Sequence, residues 1–194
     1  MTTSNHFSRR AFLAGSVAAV SAGVTGCVGG SGGTPTQSPD LPFERDVDPS
    51  RTYLRTQGDG AGDARPVELS ALGIEPGVAI VLERRGVFTG SSGGTGMTAV
   101  FSESASLAPA DTRNRVVDAI DAGADYETGA TYEGDAETDV PEDFLVADNE
   151  DDQTNVTVTV PEAATHLFVA AIDNFYQDNA HRETRFGLRI EAAD

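Results

Sequence analysis

Short runs of alternating apolar and polar residues, each closed by Gly or Pro, most constrain what this chain can fold into. Asn155, Thr157 and Thr159 alternate with Val156, Val158 and Val160, and Phe186, Leu188 and Ile190 alternate with Arg185, Gly187 and Arg189. A period of two with β-branched residues predicts half-buried strands. Val78 to Leu82 and Leu167 to Ile172 are denser apolar runs, the pattern of central strands covered on both faces. Met97 to Phe101 and Asp143 to Val146 read as further short strands, and Pro66, Gly73, Pro76-Gly77, Gly86, Pro141 and Pro161 punctuate the junctions. Strands this short between such breakers favour an all-β fold, an antiparallel β-sandwich, over an α/β one. One helix is predicted, over Asp111 to Ala122, where Val116, Val117 and Ile120 share a face before Gly123. Glu133 to Asp152, with ten acids in twenty positions, reads as an acidic loop around the short strand.

Length and charge narrow the function. A chain of 194 residues has room for one ordinary domain plus a tail. All 13 basic residues are Arg, which excludes lysine-dependent P-loop, Schiff-base and pyridoxal chemistry. Against them stand 31 acids, for a formal net charge of -18, and no acid precedes Asp40. Such a surface repels nucleic acid and anionic lipid at long range. Carboxylates in this excess, without Lys, read as adaptation to molar salt, where the Debye length shrinks to roughly 3 Å. A single Cys leaves no intramolecular disulfide and no multi-cysteine zinc site.

The N-terminus reads as an export signal. Ser8-Arg9-Arg10-Ala11-Phe12-Leu13 has the twin-arginine (Tat) pattern, with Arg9 and Arg10 as its export motif, and opens an uncharged run of small and apolar residues to Gly26. That run is short for a membrane span. It ends in Val24-Thr25-Gly26-Cys27, which resembles a lipobox, so Cys27 is the expected lipidation site and first mature residue. The organisation expected is a signal peptide over 1–26, a flexible linker over 27–50, rich in Gly, Ser, Thr and Pro, and a β-sandwich domain over 51–194. The mature protein is then lipid-anchored to the outer face of the cell membrane.

The chemistry-bearing segment follows the strand Leu167 to Ile172. Asp173-Asn174-Phe175-Tyr176-Gln177-Asp178-Asn179 opens a connection of about eleven residues, where a hairpin usually takes two to five. It begins with Asp and closes on an Asp-Asn pair, so Asp173, Asp178 and Asn179 offer side-chain oxygens from both strand ends, with loop carbonyls between them. Hard oxygen ligands on rigid strands suit Ca2+, which tolerates irregular geometry better than magnesium does. The plainer reading is that Asp and Asn are turn formers in a charged loop.

Pro161-Glu162-Ala163-Ala164-Thr165-His166-Leu167-Phe168, together with Asp173 to Asn179, resembles the end of the PA-IL-like lectin family of small calcium-dependent, galactose-binding β-sandwiches. Leu72-Gly73-Ile74-Glu75-Pro76-Gly77 is similar to an earlier strand entry of that family. The resemblance spans about residues 67 to 190 and implies Asp173 as first calcium ligand, Asp178 and Asn179 as the later pair, a backbone oxygen near Phe175 or Tyr176, and another carbonyl from Gly90. It also implies a β-sandwich of jelly-roll or galactose-binding-like type in which calcium would hold sugar hydroxyls. Asp173, Asn174, Asp178 and Asn179 would then face the sugar, with Tyr176 or Phe175 packing on its ring. Two features depart from the family: the loop is shorter, and the mid-chain sugar-contacting His has no counterpart, the histidines being His6, His166 and His181. Sugar specificity is therefore left open.

Competing motifs are weaker. Gly90-Ser91-Ser92-Gly93-Gly94 fits G-x-S-x-G, but it runs into the strand at Met97, whereas a nucleophile elbow runs into a helix, so a serine hydrolase at Ser92 is a remote alternative. Asp148 to Asp152 lacks the Gly and Glu of an EF-hand loop. Asn155-Val156-Thr157 is a glycosylation sequon inside a predicted strand. The expectation is a non-enzymatic cell-surface lipoprotein that binds a glycan or polysaccharide through Ca2+. The alternative is a structural or adhesion module of the cell envelope in which the ion only staples the hairpin.

Overall fold

The computed structural model describes residues 40–56, 59–90, 94–123, 140–150 and 152–193. All belong to the compact unit that runs from Gln37 to Asp194. Arg9, Arg10, Cys27 and Ser92 lie outside the described residues, as does the first part of the acidic stretch, 133–139.

The described residues are all-β, with a single 3-10 turn at Ser70–Leu72 and no α-helix among them. A four-stranded antiparallel sheet has the order β1 (Phe43–Asp46), β13 (Gly187–Ala192), β5 (Ala79–Arg85), β10 (Asn155–Thr159). A five-stranded antiparallel sheet has β4 (Val67–Glu68), β11 (His166–Ala171), β7 (Met97–Ser102) and β8 (Ala119–Ile120) in line, with β9 (Phe144–Ala147) also paired to β7. Two short pairs complete the fold: β6 (Phe88–Thr89) with β12 (Ala180–His181), antiparallel, and β2 (Arg51–Thr52) with β3 (Gly62–Asp63), parallel. No helix among the described residues is long and apolar enough to cross a membrane.

The alternating segments form the strands expected of them. On β10, Val158 is buried while Asn155, Thr157 and Thr159 are exposed, and on β13, Leu188 and Ile190 are buried. Ile80, Leu82, Val158, Leu188 and Ile190 from the first sheet join Met97, Val100, Phe101, Leu167 and Phe168 from the second in one hydrophobic cluster. Each such side chain contributes about 1.5–3 kcal/mol on burial. The two dense apolar runs fare differently. β11 is buried from Leu167 to Ala171, whereas β5, though flanked by β13 and β10, keeps one face partly open at Ala79, Val81 and Glu83.

That open face carries charge. Register places Glu44 opposite Arg189, Arg189 opposite Glu83, and Glu83 opposite Asn155. Arg189 pairs with Glu44 at 3.5 Å, with Glu83 at 3.9 Å and with Glu191, while Arg85 pairs with Glu83 at 3.4 Å and Arg185 with Asp46 at 2.7 Å.

Two expectations need correction. Pairing begins before residue 51: β1 lies inside the stretch read as linker, with Phe43 opposite Ile190 and half-buried against the core. A four-residue strand with one large apolar side chain leaves little periodicity to read. The helix expected over Asp111 to Ala122 does not form. Asn114 and Asp118 have φ of 51° and 52°, which a right-handed helix cannot accommodate, Leu107 bridges Val116, and β8 follows. The buried Arg115 guanidinium instead donates to groups outside the segment, Asp63 Oδ1 at 2.5 Å, Ala108 O at 3.1 Å and Leu54 O at 3.3 Å, contacts that compete with a helix here.

Candidate metal cradle

The pairing of β6 with β12 sets the site. Phe88 stands opposite His181 and Thr89 opposite Ala180, so one further step of the same register brings Gly90 opposite Asn179. Asp173 enters from the other side, two residues beyond β11, whose continuation is fixed by Ile172 N–H donating to Gly96 O at 3.0 Å. Three residues far apart in the chain thus meet, and their closeness is measurable at Gly90. A Cβ built there would fall 1.9 Å from Asn179 Oδ1 and 3.1 Å from Asp173 Oδ2. The two oxygens are therefore within about 5 Å of each other, a span one calcium can bridge at bond lengths of about 2.3–2.6 Å.

Both side chains are enclosed, Asp173 at 8% and Asn179 at 7% exposure. Asn179 Nδ2 donates to Pro49 O at 3.1 Å, which turns Oδ1 toward Gly90, and that oxygen accepts no hydrogen bond among the described residues. A buried amide oxygen left without a donor costs about 1–3 kcal/mol, so its orientation has a cost that a cation would offset. Asp173 Oδ1 accepts the Asn174 N–H at 2.6 Å, leaving Oδ2 on the Gly90 side.

The rest of the loop is held from outside. The Asp59 carboxylate accepts the Tyr176 N–H at 2.5 Å and the Gln177 N–H at 3.0 Å, and Asn179 N–H donates to Tyr176 O at 3.0 Å, closing a turn over 176–179. Gly60 lies against Gln177, 2.9 Å from its Oε1 when measured from a built Cβ. On the far side, Asn149 Oδ1 accepts N–H groups from Thr95 at 3.3 Å and Gly96 at 2.8 Å, and Thr95 Oγ1 donates to Asp148 O at 3.0 Å. Asp148 itself caps a turn, accepting N–H groups from Asp152 and Gln153, both at 3.0 Å.

The remaining residues singled out in the sequence do not share this enclosure. Asp178 and Asn174 are exposed and Phe175 is half-buried, so they line the outside of the loop. Tyr176 is corrected: its ring is fully buried and its hydroxyl donates to Ala171 O at 3.2 Å, so it serves as a core anchor and has no surface to offer a sugar ring. His166 is half-buried with Nδ1 2.7 Å from Thr165 Oγ1, and His181 is half-buried on β12. Among the described residues no three His, Cys, Asp or Glu side chains gather in the manner of a metal centre. A cation in this cradle would draw on one buried carboxylate, the Asn179 amide oxygen and carbonyls.

Sequence reasoning missed Asp59, Pro49 and Asn149. Asp59 sits in a Gly-rich stretch, Gly58-Asp59-Gly60, where nothing local marks it as a clamp on a loop more than a hundred residues away. Compared with family models, with curated proteins and with solved structures, the chain matches none.

Proposed function

We propose that this is an exported lipoprotein, anchored through Cys27 after twin-arginine export directed by Arg9 and Arg10. Its β domain, a sandwich of jelly-roll or galactose-binding-like type, binds Ca2+ between β6 and β12 and uses it to hold a glycan. The observation that carries this reading is the convergence on Gly90 of Asp173 Oδ2 and the donorless, buried Asn179 Oδ1. Asp173 would supply the charge, Asn179 an amide oxygen, and the backbone around Gly90 and Phe175 further oxygens. Exposed Asn174 and Asp178 would meet sugar hydroxyls. This assignment is non-enzymatic: the Asp173 carboxylate and the Asn179 amide serve in it as hard oxygen ligands for a cation.

A second reading draws on the same burial. With Asp173 and Asn179 each more than nine-tenths enclosed, the ion can be a staple that joins the two strand ends without exchanging hydroxyls. Glycan-array retention in molar salt, with and without EGTA, separates the two. Calcium-dependent retention supports sugar binding, while a calcium-dependent rise in melting temperature without retention supports the staple. Calorimetry with no divalent uptake by the folded protein overturns both.

A further inference from the structure

We infer that Asn155 is an N-glycosylation site and that the glycan it carries shields the open edge of the four-stranded sheet. Asn155-Val156-Thr157 is the only Asn-x-Ser/Thr sequence in the chain. In the fold, Asn155 is the first residue of β10, and its side chain is exposed together with that of Thr157 on the same face, while Val158 turns inward. A strand places residues i and i+2 on one side, so the acceptor amide and the hydroxyl a transferase recognises are presented together. The residue across the ladder, Glu83, has its carboxylate drawn to Arg85 at 3.4 Å and Arg189 at 3.9 Å, toward the middle of the sheet and away from Asn155.

The edge gives the modification a physical purpose. Arg84 N–H donates to Thr154 O, Val160 N–H donates to Val78 O, and Gly77 N–H donates to Val160 O, so the even-numbered residues of this strand face β5. The N–H and C=O groups of Asn155, Thr157 and Thr159 therefore point out of the sheet. No strand among the described residues lies beyond β10. Asn155 to Thr159 has no charge and no Pro, the composition of an edge that invites pairing with another chain. A bulky polar saccharide rooted at its first residue blocks that approach. Strand termini fray at little cost, so a transferase can reach Asn155 in the folded protein.

The donor class is a lipid-linked glycosyl phosphate or pyrophosphate. The bond from the sugar C1 to the phosphate oxygen breaks, a bond from C1 to Asn155 Nδ2 forms, one amide proton passes to the transferase, and the polyprenyl phosphate or pyrophosphate leaves.

The full-length chain is to be produced in a halophilic host that glycosylates a control exported protein, as wild type and as Asn155→Gln, Thr157→Ala and Thr157→Ser, and analysed by intact and peptide mass spectrometry. Wild type and Thr157→Ser are expected to carry saccharide mass on the peptide containing Asn155, and Asn155→Gln and Thr157→Ala to show the sequence mass with an unchanged β circular-dichroism spectrum. An unmodified wild-type peptide beside a glycosylated control, or saccharide mass persisting in Asn155→Gln, overturns the assignment. The Thr157 pair reads the sequon even if Asn155→Gln accumulates poorly.

Discussion

Asn179 places its side-chain carbonyl oxygen 1.9 Å from the point where Gly90 would carry a Cβ. No φ in the left-handed range is involved at Gly90, so the requirement for glycine is one of space. Gly90→Ala must push Asn179 away, which breaks the bond from Nδ2 to Pro49 O and moves Oδ1 off Asp173. Overpacking of this kind costs about 1–3 kcal/mol. The expected result in urea unfolding is a lower midpoint than wild type in EGTA, and in addition no rise of the midpoint on adding calcium. A variant that unfolds like wild type and keeps the calcium response would remove the cradle from consideration.

Asp59 predicts an effect at a distance in sequence. Its carboxylate bonds two consecutive amides, those of Tyr176 and Gln177, in the middle of the loop that carries Asp173 and Asn179. Charge-assisted bonds are worth about 1.5–3 kcal/mol when desolvated, and partial exposure here brings the pair toward the lower end. Asp59→Ala is expected to lose about 1–2 kcal/mol and to speed hydrogen exchange at the Tyr176 and Gln177 amides specifically. Asp59→Asn, which keeps one acceptor oxygen, should protect one of the two amides better than Asp59→Ala does. Equal protection of both amides in wild type and Asp59→Ala would show the clamp to be idle.

How much of this was legible follows from which interactions are local. The strands β5, β7, β10, β11 and β13 were readable because period and breakers act within a few residues, and the placement of Asp173 beyond β11 came with them. The meeting of Gly90 with Asn179 depends on the β6–β12 register, a pair of two-residue strands whose sequences, Phe88-Thr89 and Ala180-His181, hold no alternation to detect. The role of Tyr176 was misread for a related reason. An aromatic in a polar loop looks like a surface platform until the loop is known to fold back and drive the ring into the core beneath Ala171. The failed helix shows the same limit, because the apolar spacing of Val116, Val117 and Ile120 is local, whereas the pull of Asp63 and Leu54 on Arg115 comes from outside the segment.

Arg115 also makes a separable prediction. Its side chain is 2% exposed while that of Asp63 is 66% exposed, so the pair is half in water. Removing Asp63 lets solvent approach the guanidinium, and the loss expected for Asp63→Ala is about 1 kcal/mol, decreasing at molar salt. Arg115→Ala instead leaves a cavity and strips donors from Leu54 O and Ala108 O, for an expected loss of about 3 kcal/mol that salt does not diminish. Chemical unfolding of both variants at low and high salt checks the ordering. If Asp63→Ala proves the more damaging, the ion pair outweighs the carbonyl contacts.

The most buried polar cluster predicts how stability responds to alkali. Tyr53 is fully enclosed, its hydroxyl donates to Thr98 Oγ1 at 2.8 Å, and Thr98 Oγ1 lies 3.2 Å from Asp143 Oδ2 and 3.1 Å from Phe144 O. Burial, and then the charge of Asp143, raise the Tyr53 hydroxyl well above its usual pKa of 10.0, with the hydrogen bond to Thr98 opposing them more weakly. In the unfolded chain the phenol ionises near pH 10. Between that value and the folded pKa the native state holds one proton more than the unfolded state, so stability is fully present below about pH 10 and declines as pH rises, by at most about 1.4 kcal/mol per unit for this group. The composition makes the test unusually clean. With no Lys and one Cys in the chain, few groups besides tyrosines titrate in this window. Tyr53→Phe should start less stable, having lost its bond to Thr98, and then fall less steeply from pH 9.5 to about 11.5 in urea unfolding. Parallel curves for the two proteins would mean that Tyr53 ionises as easily folded as unfolded, and would overturn the role of its burial beside Thr98 and Phe168.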